Sequence, residues 1–431
     1  MKLGNMTALA ATGLFAASVF AGPRVDQSGV TFSQDESRLC TVTYTLTGEP
    51  AIVTVDFQTN STPQSASPTW VSIGAQNFTS VFGDVNRVVD KVGQTCTIQW
   101  QPMRDIPPCK LSGQNVARAV VSAWATNTPP DYMVLDLTAP GTERYYVSTN
   151  ALPYGGLTNQ IYKTSMMVMR RIPAGGVTWR MGSPSTEGYT SAPRKECEMP
   201  HYVSFTEDFW MGVFNVTRKQ YNILVGTNPG SGADNVPANT FSYNTLRGKY
   251  DPDGVNWPDT LYSVAAGSAI AAARNTAGVD FDLPTSAQWE YACRAGERAQ
   301  TYFGDENVNT RLTNYAWFSN NSSGQSHEVG LKIPNAWGLY DMYGNISEIV
   351  LDFYKDVGSS ASVTDPKGPT SAEVSDRTRV VRGTGRYDSG WQVFRSAAIS
   401  YIAEDTGNKY YGIRFVCPIG LKYPAALKPS L

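Results

Sequence analysis

The sequence predicts an α+β protein with two domains, a small all-β domain followed by a larger mixed one. Three observations support this prediction. The chain has 431 residues, more than one ordinary hydrophobic core encloses. Residues 24–150 contain short apolar runs separated by Pro and Gly, a pattern typical of strands joined by turns. Beyond residue 165, a capped helix and longer loop-like blocks replace that pattern.

Residues 22–150 are predicted to form a β-sandwich, with an immunoglobulin-like arrangement as one form. Apolar and polar residues alternate from 53 to 57, as expected for a strand with one buried face. Similar strand-like composition recurs in the segments 51–57, 95–100, 119–124, 132–137 and 144–147. This part contains no histidine and no catalytic constellation, so we expect a spacer or interaction module.

Residues 1–21 predict an export signal peptide. Lys2 gives a positive start, an apolar and small-residue run follows over 8–20, and Ala21 offers a small residue for cleavage. A buried N-terminal helix is the alternative. An exported chain would be secreted, periplasmic or held at the cell surface. No later apolar stretch reaches ~18 residues, so we predict no transmembrane span.

Composition narrows the partners and the redox state. The formal net charge is −2 and no basic stripe is present, so nucleic acid is not an expected partner. The six cysteines fit disulfide formation in an oxidising compartment, although their pairing stays open. None forms a CxxC motif, which disfavours a zinc or redox centre.

Two boundaries follow from composition. Residues 151–164 begin with small, uncharged, Pro- and Gly-bearing sequence and are predicted to be a linker. The second domain is predicted to span 165–418. Residues 419–431 form a tail that we expect to be a loose strap or disordered.

One helix of the second domain is specified in detail. Thr285 can cap its first turn, and Gln288 three residues later can complete a capping box. Trp289 and Cys293 then share one face, which predicts a buried structural helix rather than a catalytic one. Gly296 is predicted to end it in a left-handed conformation.

Four blocks of the second domain, which lead into a last block at 379–415, together resemble the formylglycine-generating enzyme, or sulfatase-modifying factor, family. The four occur in family order at 166–183, 201–221, 283–296 and 334–348, and the resemblance covers about 166–418. The resemblance implies a variant of the C-type lectin fold, with short strands, two helices and long loops. It also implies a substrate groove beside the last block.

The resemblance implies a structural calcium ion at the fourth block. Carried over by position, Asp341 and Glu348 would supply side-chain oxygens, and Gly344 and Ile346 would supply backbone carbonyls. Such hard oxygen donors suit calcium. The alternative is that both carboxylates only satisfy loop amides. The family has tryptophan where Ser347 and Ile349 stand here, a change that affects packing beside the site.

The family's oxidation chemistry is not expected in this chain. The family's oxidases bind copper through two cysteine thiolates in the last block, because soft thiolates suit Cu(I). The interval 383–394 contains no cysteine, and none occurs between Cys293 and Cys417. Copper is therefore not a predicted cofactor. The two histidines are His201, predicted to be structural, and His327, predicted to be solvated; two separated histidines do not make an iron triad.

We therefore predict an exported, catalytically silent module that binds a peptide, protein or carbohydrate ligand through the last block. Aromatic side chains with polar neighbours suit such ligands. The candidate ligand-binding residues are Arg386, Tyr387, Asp388, Trp391, Gln392, Tyr401, Glu404, Asn408 and Tyr410. The alternative for Tyr387 and Trp391 is that each is a buried core residue instead of a binding residue. Arg395 and Arg414 are expected to anchor loops through carboxylates.

Two alternative functions stay open from the sequence. One is an active oxidoreductase of the formylglycine-generating type that modifies a sulfatase cysteine. The other is a structural component of the cell envelope, in which the β-rich first domain docks. No nucleophile motif, metalloprotease motif or P-loop supports a further enzyme class.

Overall fold

The computed structural model describes residues 22–420 except 64, 77, 114, 185–186, 188–194, 249–263, 307, 359–360, 371–372 and 375. The predicted signal peptide, 1–21, and residues 421–431 of the predicted tail lie outside the described residues. In the described part, no helix is both long and apolar enough to cross a membrane.

Strands outnumber helices in the described part of the chain. The strands are β1 Arg24–Val25, β2 Thr31–Gln34, β3 Cys40–Thr47, β4 Ala51–Asn60, β5 Trp70–Ser72, β6 Val81–Gly83, β7 Arg87–Val89, β8 Thr95–Trp100, β9 Ala117–Trp124, β10 Tyr132–Asp136, β11 Arg144–Tyr146, β12 Met166–Ile172, β13 Thr178–Met181, β14 His201–Ser204, β15 Phe209–Gly212, β16 Ser347–Phe353, β17 Val363–Thr364, β18 Thr378–Arg382, β19 Ser400–Ala403, β20 Tyr411–Gly412 and β21 Val416–Pro418. The helices are α1 Pro102–Asp105, α2 Arg218–Val225, α3 Tyr243–Arg247, α4 Ala269–Ala277, α5 Ser286–Arg294 and α6 Val308–Tyr315. The mixed α and β content agrees with the predicted class.

Two antiparallel sheets build the first region. One has the order β1-β3-β8-β6, with β2 also on β3; the other has the order β5-β4-β7, with β9 also on β4. Their facing side chains share one apolar core, in which the Phe57 and Trp100 rings stack at 4.5 Å. Alternating burial along β3 places Val42, Tyr44 and Leu46 inward, as the period of a strand requires.

Strands β10 and β11 do not belong to that pair of sheets. The sequence placed 132–137 and 144–147 in the first domain, whereas β10 pairs antiparallel with β12, with Val134 opposite Val168. They complete a sheet of order β11-β10-β12-β15-β21. Strand composition specifies a strand but not its partner, because any exposed strand edge can accept another. Residues 22–150 are therefore divided. The strands from β1 to β9 form the two sheets of the first region, whereas β10 and β11 belong to the sheet that also contains β12, β15 and β21.

The segment predicted as a linker is packed rather than free. Leu152 and Tyr162 are fully buried, and Lys163 forms an ion pair with Glu328 at 2.7 Å. A short 3-10 helix, Gln160–Lys163, is capped by the Asn159 side chain. Burial of apolar side chains fixes this connection against the second region.

Helix α5 begins as the sequence predicts. Thr285 is its N-cap, and the reciprocal bonds of Thr285 and Gln288 form the capping box. The end differs by one residue, since Ala295 is the left-handed C-cap with a φ of 47° and Gly296 follows with a φ of 90°. All nine residues of α5 are buried, which makes it a central core helix.

A four-stranded sheet of order β19-β18-β16-β20 carries the candidate site. β16 pairs antiparallel with β18 and parallel with β20, and all residues of β16 and β18 are buried. The loop between β18 and β19 leaves this sheet at Gly383. A Cβ at Gly383 would lie 3.1 Å from the Trp289 ring, and its φ of 88° also favours glycine.

Candidate functional site, a groove beside the last sheet

A cavity of about 590 Å³ lies between the β18–β19 loop and the segment before β14. This volume is typical of sites for small molecules or short segments of a larger ligand. It is lined by Lys195, Glu198, Ser347, Val381, Gly383, Thr384, Gly385, Tyr387, Asp388, Val393, Arg395, Ala398, Ile399, Ser400, Tyr410 and Tyr411. We call this cavity the groove.

A buried ion pair supports the groove. The Arg395 guanidinium lies 2.8 Å from a Glu198 carboxylate oxygen, and the two residues are only 4% and 3% exposed. Arg395 also donates to the Ser183 hydroxyl at 3.1 Å, and Glu198 accepts the Ile399 backbone N–H at 3.3 Å. Breaking such a pair leaves an uncompensated buried charge, so it holds the loop in place.

Asp388 is the second acidic residue of the groove wall, beside Glu198. Its carboxylate accepts the Gly385 N–H at 2.6 Å, which closes a tight turn. Burial raises the pKa of the Asp388 carboxyl, and the Gly385 hydrogen bond opposes that effect. A Cβ at Gly385 would lie 2.9 Å from the Ser347 hydroxyl, so the glycine lets Ser347 and Asp388 share this wall.

Two pairs of tyrosines with lysines flank the groove. Tyr387 and Tyr410 meet edge to face at 4.7 Å, each 40% exposed, with the Lys409 ammonium 5.3 Å from the first ring. On the other side, Tyr354 and Tyr401 stack at 4.3 Å.

The Lys195 ammonium lies 5.2 Å from each ring of this second pair. Both flanks therefore offer an aromatic face beside a positive charge.

The structure separates the predicted binding residues into three groups. Tyr387, Asp388 and Tyr410 line the groove. Arg386 is buried instead, and donates to the backbone oxygens of Lys409 at 2.7 Å and Asn345 at 3.4 Å. Glu404 is committed to Arg377, at 2.6 Å, and to Arg379.

The remaining predicted residues do not line the groove. Tyr401 is half exposed on the second flank, and Gln392 lies in the 3-10 helix Trp391–Val393. Asn408 accepts the Tyr410 N–H at 2.9 Å, so it shapes the turn that presents that ring. The Trp391 side chain lies outside the described residues.

Sequence reasoning missed three of the groove residues, Lys195, Glu198 and Ser347. The first two lie nearly 200 residues before the loop they face, and nothing local marks them. Ser347 did carry a signal, since it stands where the resembling family has a larger aromatic residue. The smaller side chain contributes open space to the groove wall.

Of the four residues predicted to bind calcium, Glu348 has a carboxylate that is already occupied by protein donors. Arg414 donates to both Glu348 oxygens, at 2.8 to 3.2 Å, and Trp289 and Asn215 each donate at 2.7 Å. These bonds use the lone pairs that a cation would need.

Backbone N–H groups donate to two of the other predicted calcium ligands. The Gly344 carbonyl accepts the Ile346 N–H at 2.7 Å. Asp341 keeps one buried oxygen without a hydrogen bond, the other accepting from Gly330 at 2.8 Å. Burial raises the pKa of the Asp341 carboxyl to about 6, and the Glu348 carboxylate contributes.

The Glu348–Arg414 and Glu198–Arg395 ion pairs confirm the prediction that both arginines anchor loops through carboxylates. The prediction for His327 was wrong. Its ring stacks on Trp317 at 3.8 Å and its Nε2 lies 3.0 Å from the Ser322 carbonyl, so it is part of a packed loop.

No thiol lines the groove in the described part of the chain. All six cysteines are free thiols in the structure. Burial raises the pKa of Cys293 and of Cys197 to about 12, so neither is a thiolate near neutral pH. Among the described residues, no group of three or more His, Cys, Asp or Glu side chains could hold a metal ion.

The second region is a mixed α and β domain in which a buried sheet and a capped helix support a groove. Comparison with known proteins identifies its family. The model of the sulfatase-modifying factor enzyme 1-like domain matches residues 157–419. The chain therefore belongs to the sulfatase-modifying factor family.

Curated relatives span several named functions. A chaperone protein LppX of Paenibacillus barcinonensis is 28% identical over 33% of this chain and 61% of its own length. The mouse formylglycine-generating enzyme is 30% identical over 31% of this chain and 38% of its own. The chain thus spans less than two thirds of either relative. Among solved structures, the Treponema denticola variable protein 1 is 24% identical, with a TM-score of 0.45, and covers 59% of this chain and 95% of its own.

Proposed function

We propose that this protein is a ligand-binding member of the sulfatase-modifying factor family, and that it does not carry out copper-dependent oxidation of cysteine. The single observation that carries the proposal is the composition of the groove. Where the resembling oxidases need a thiolate pair, the loop after β18 offers Thr384, Asp388 and Tyr387. Oxygen donors of this kind do not replace two thiolates for Cu(I).

The groove supports recognition of an extended peptide or a carbohydrate. Its flanking tyrosines present apolar faces with polar tips, and the lysines beside them can donate to carbonyl, hydroxyl or carboxylate groups. Asp388 and Ser347 can orient a donor from the ligand. The name of LppX as a chaperone favours a protein or peptide among these ligands.

The direct test is a binding measurement with two probes. A fluorescently labelled sulfatase peptide with its cysteine, and the same peptide with serine in that position, are titrated into the protein and into Tyr410→Ala. We expect both peptides to bind alike and the variant to bind at least tenfold more weakly, since a flanking aromatic contact is removed. Tyr202→Ala is the matched control, because Tyr202 is 56% exposed on β14 and does not line the groove.

A panel of soluble oligosaccharides is titrated in parallel. Binding of an oligosaccharide that depends on Tyr410, with no peptide binding, would assign the groove to carbohydrate. Unchanged affinity of Tyr410→Ala for every bound probe would remove the groove from the proposal.

Enzymatic activity is the second candidate, favoured by the curated relatives named formylglycine-generating enzyme. Incubation of the cysteine peptide with the protein, copper, oxygen and a thiol reductant that supplies the two further electrons needed to reduce O2, followed by mass spectrometry, tests it. We expect no formylglycine. Its appearance above a control without protein would overturn catalytic silence.

Export and calcium are further proposals that rest on sequence. Cleavage after Ala21 is checked by the N-terminal mass of protein recovered from an exporting host; an intact Met1 would contradict the signal peptide.

If a calcium ion is bound at Asp341, a chelator should lower the melting temperature, because a bound ion stabilises only the folded state. An unchanged melting temperature would mean that no calcium ion is bound at Asp341. Glu348 would then serve only as the partner of Arg414, and one Asp341 oxygen would stay buried without a hydrogen bond.

A further inference from the structure

A second cavity, of about 380 Å³, lies between the two regions of the chain, away from the groove. One wall is a single face of the β10–β11 hairpin. Val134 lies opposite Arg144 in the register, and Asp136 and Tyr146 follow on the same face at the strand period of two. The other face of the hairpin, with Met133, Leu135 and Tyr145, belongs to the core.

The first region provides the opposite wall, and the segment predicted as a linker closes one side. Val55 and Phe57 of β4, Phe78 and Val81 face the hairpin across the cavity. Ala151, Pro153 and Tyr154 line the third side.

The two regions are joined beside the cavity. The Tyr145 N–H donates to the Asn86 carbonyl at 2.8 Å, and the Gln76 side chain donates to Asn150 at 3.0 Å. The space is therefore a defined cavity between two packed sheets.

Two opposite charges line this cavity without pairing with each other. The Arg144 Nη1 donates to the carbonyls of Thr142 at 3.2 Å and Glu143 at 3.0 Å. The Nε and Nη2 of Arg144 have no acceptor among the described residues. One Asp136 oxygen accepts the Thr138 N–H at 2.9 Å and hydroxyl at 2.7 Å, and the other has no donor there. Charges in a partly desolvated site are costly unless a partner of opposite sign is supplied.

We propose that this cavity is a binding site for a small zwitterion with an apolar or aromatic side chain, namely a free α-amino acid. Arg144 binds the carboxylate, and its fork of N–H donors matches the two oxygens. Asp136 accepts the ammonium group. Phe57, Phe78 and Tyr146 pack around the side chain, as apolar walls with a few placed polar groups do in ligand sites.

The charge pattern selects this ligand class among others. A neutral apolar molecule would fill the aromatic part and leave Arg144 and Asp136 unpaired. A simple carboxylate would pair with Arg144 and meet repulsion from Asp136, and a simple amine would do the reverse. Only a ligand that carries both charges next to each other satisfies both side chains.

Binding at this place would also join the two regions. Its walls come from the sheet of β4, from β6 and its preceding loop, and from the β10–β11 hairpin, so an occupied cavity tightens the contact between them. A ligand that binds only the folded state raises the melting temperature with its concentration.

The experiment is calorimetric titration and a thermal shift assay of the full chain with L-phenylalanine, L-tyrosine and L-leucine. The matched probes are 3-phenylpropanoate, which lacks the ammonium, and phenethylamine, which lacks the carboxylate. We expect at least one amino acid to bind, with both single-charge probes at least tenfold weaker. No binding by any of the three amino acids, or equal binding of a single-charge probe, overturns the proposal.

Three variants locate the binding. Arg144→Gln and Asp136→Asn should each weaken it at least tenfold, and Ala139→Phe should abolish it by filling the cavity. Arg104→Gln, an exposed arginine on α1 outside the cavity, should bind as the unmodified chain does. Unchanged affinity in Ala139→Phe would place the binding elsewhere and overturn the proposal, whatever the folding of the charge variants.

Discussion

The last sheet, of strands β16, β18, β19 and β20, together with the Arg414 segment that packs on it, is called the frame here. The frame and the β18–β19 loop with the Tyr410 turn beside it differ sharply, although they are adjacent in sequence. In the frame, Glu348, Arg382 and Arg414 are at most 1% exposed, and each of the three forms a buried ion pair. In the loop, Tyr387 and Tyr410 are 40% exposed. Among the described residues, Asp388 bonds to its own turn and, through its backbone, to Ser319. Buried paired charges specify one arrangement, whereas exposed aromatic groups on a fixed turn are free to meet a ligand.

Breaking the frame should have the largest effect. We expect Glu348→Gln to lower the free energy of unfolding by about 3–5 kcal/mol, because Arg414 would lose its buried anionic partner. Urea denaturation followed by tryptophan fluorescence measures this loss. Glu404→Gln is the matched control, since Glu404 pairs mainly with the 45% exposed Arg377 side chain. A loss below about 1 kcal/mol in Glu348→Gln would show that the frame is not held by this pair.

The pH dependence of the frame offers a second test, at Asp352. Burial raises the pKa of the Asp352 carboxyl to about 6, against the Ser286 N–H and Arg382, which lower it. The folded state therefore holds an extra proton between about pH 4 and 6, and this group's contribution to stability falls as the pH rises through that window.

We expect the free energy of unfolding of the unmodified chain to fall more between pH 4 and pH 6.5 than that of Asp352→Asn. The difference should be about 1.4 kcal/mol for each unit by which the pKa is raised. Parallel pH profiles of the two proteins would show instead that Asp352 titrates as it does in the unfolded chain.

Changing the loop should alter binding and leave stability nearly unchanged. For Tyr387→Ala we expect a change in unfolding free energy within about 0.5 kcal/mol, typical of exposed positions, together with at least tenfold weaker binding of the groove ligand. Thermal denaturation and titration of the same sample measure both. A large loss of stability would mean that Tyr387 belongs to the frame.

The smallest expected effect is at the second flank of the groove. Lys195→Met removes a charge that lies 5.2 Å from the Tyr354 and Tyr401 rings. Exposed cation–π contacts contribute about 0.5–1 kcal/mol, so we expect a change in ligand affinity of a few fold. Equal affinities in Lys195→Met and the unmodified chain would restrict the groove to the side of Tyr387 and Tyr410.

The sequence by itself determined several features of this protein. Short-range chemistry specified α5 through the Thr285–Gln288 capping box, and the four blocks in family order identified the family. The absence of cysteine from 383–394 is also a property of the sequence alone. These features are local or compositional, so no knowledge of distant contacts was needed.

Tertiary structure decided the rest, because distant segments meet only in the folded chain. Strand pairing placed β10 beside β12, with β11 on the outer edge of β10, instead of in the first region. The groove joins Glu198 to Arg395 across about 200 residues, and Glu348 turned out to be occupied by Arg414 rather than open to a cation. Hydrogen-bond partners and strand neighbours depend on which surfaces are buried together, and the residue pattern of one segment does not contain that information.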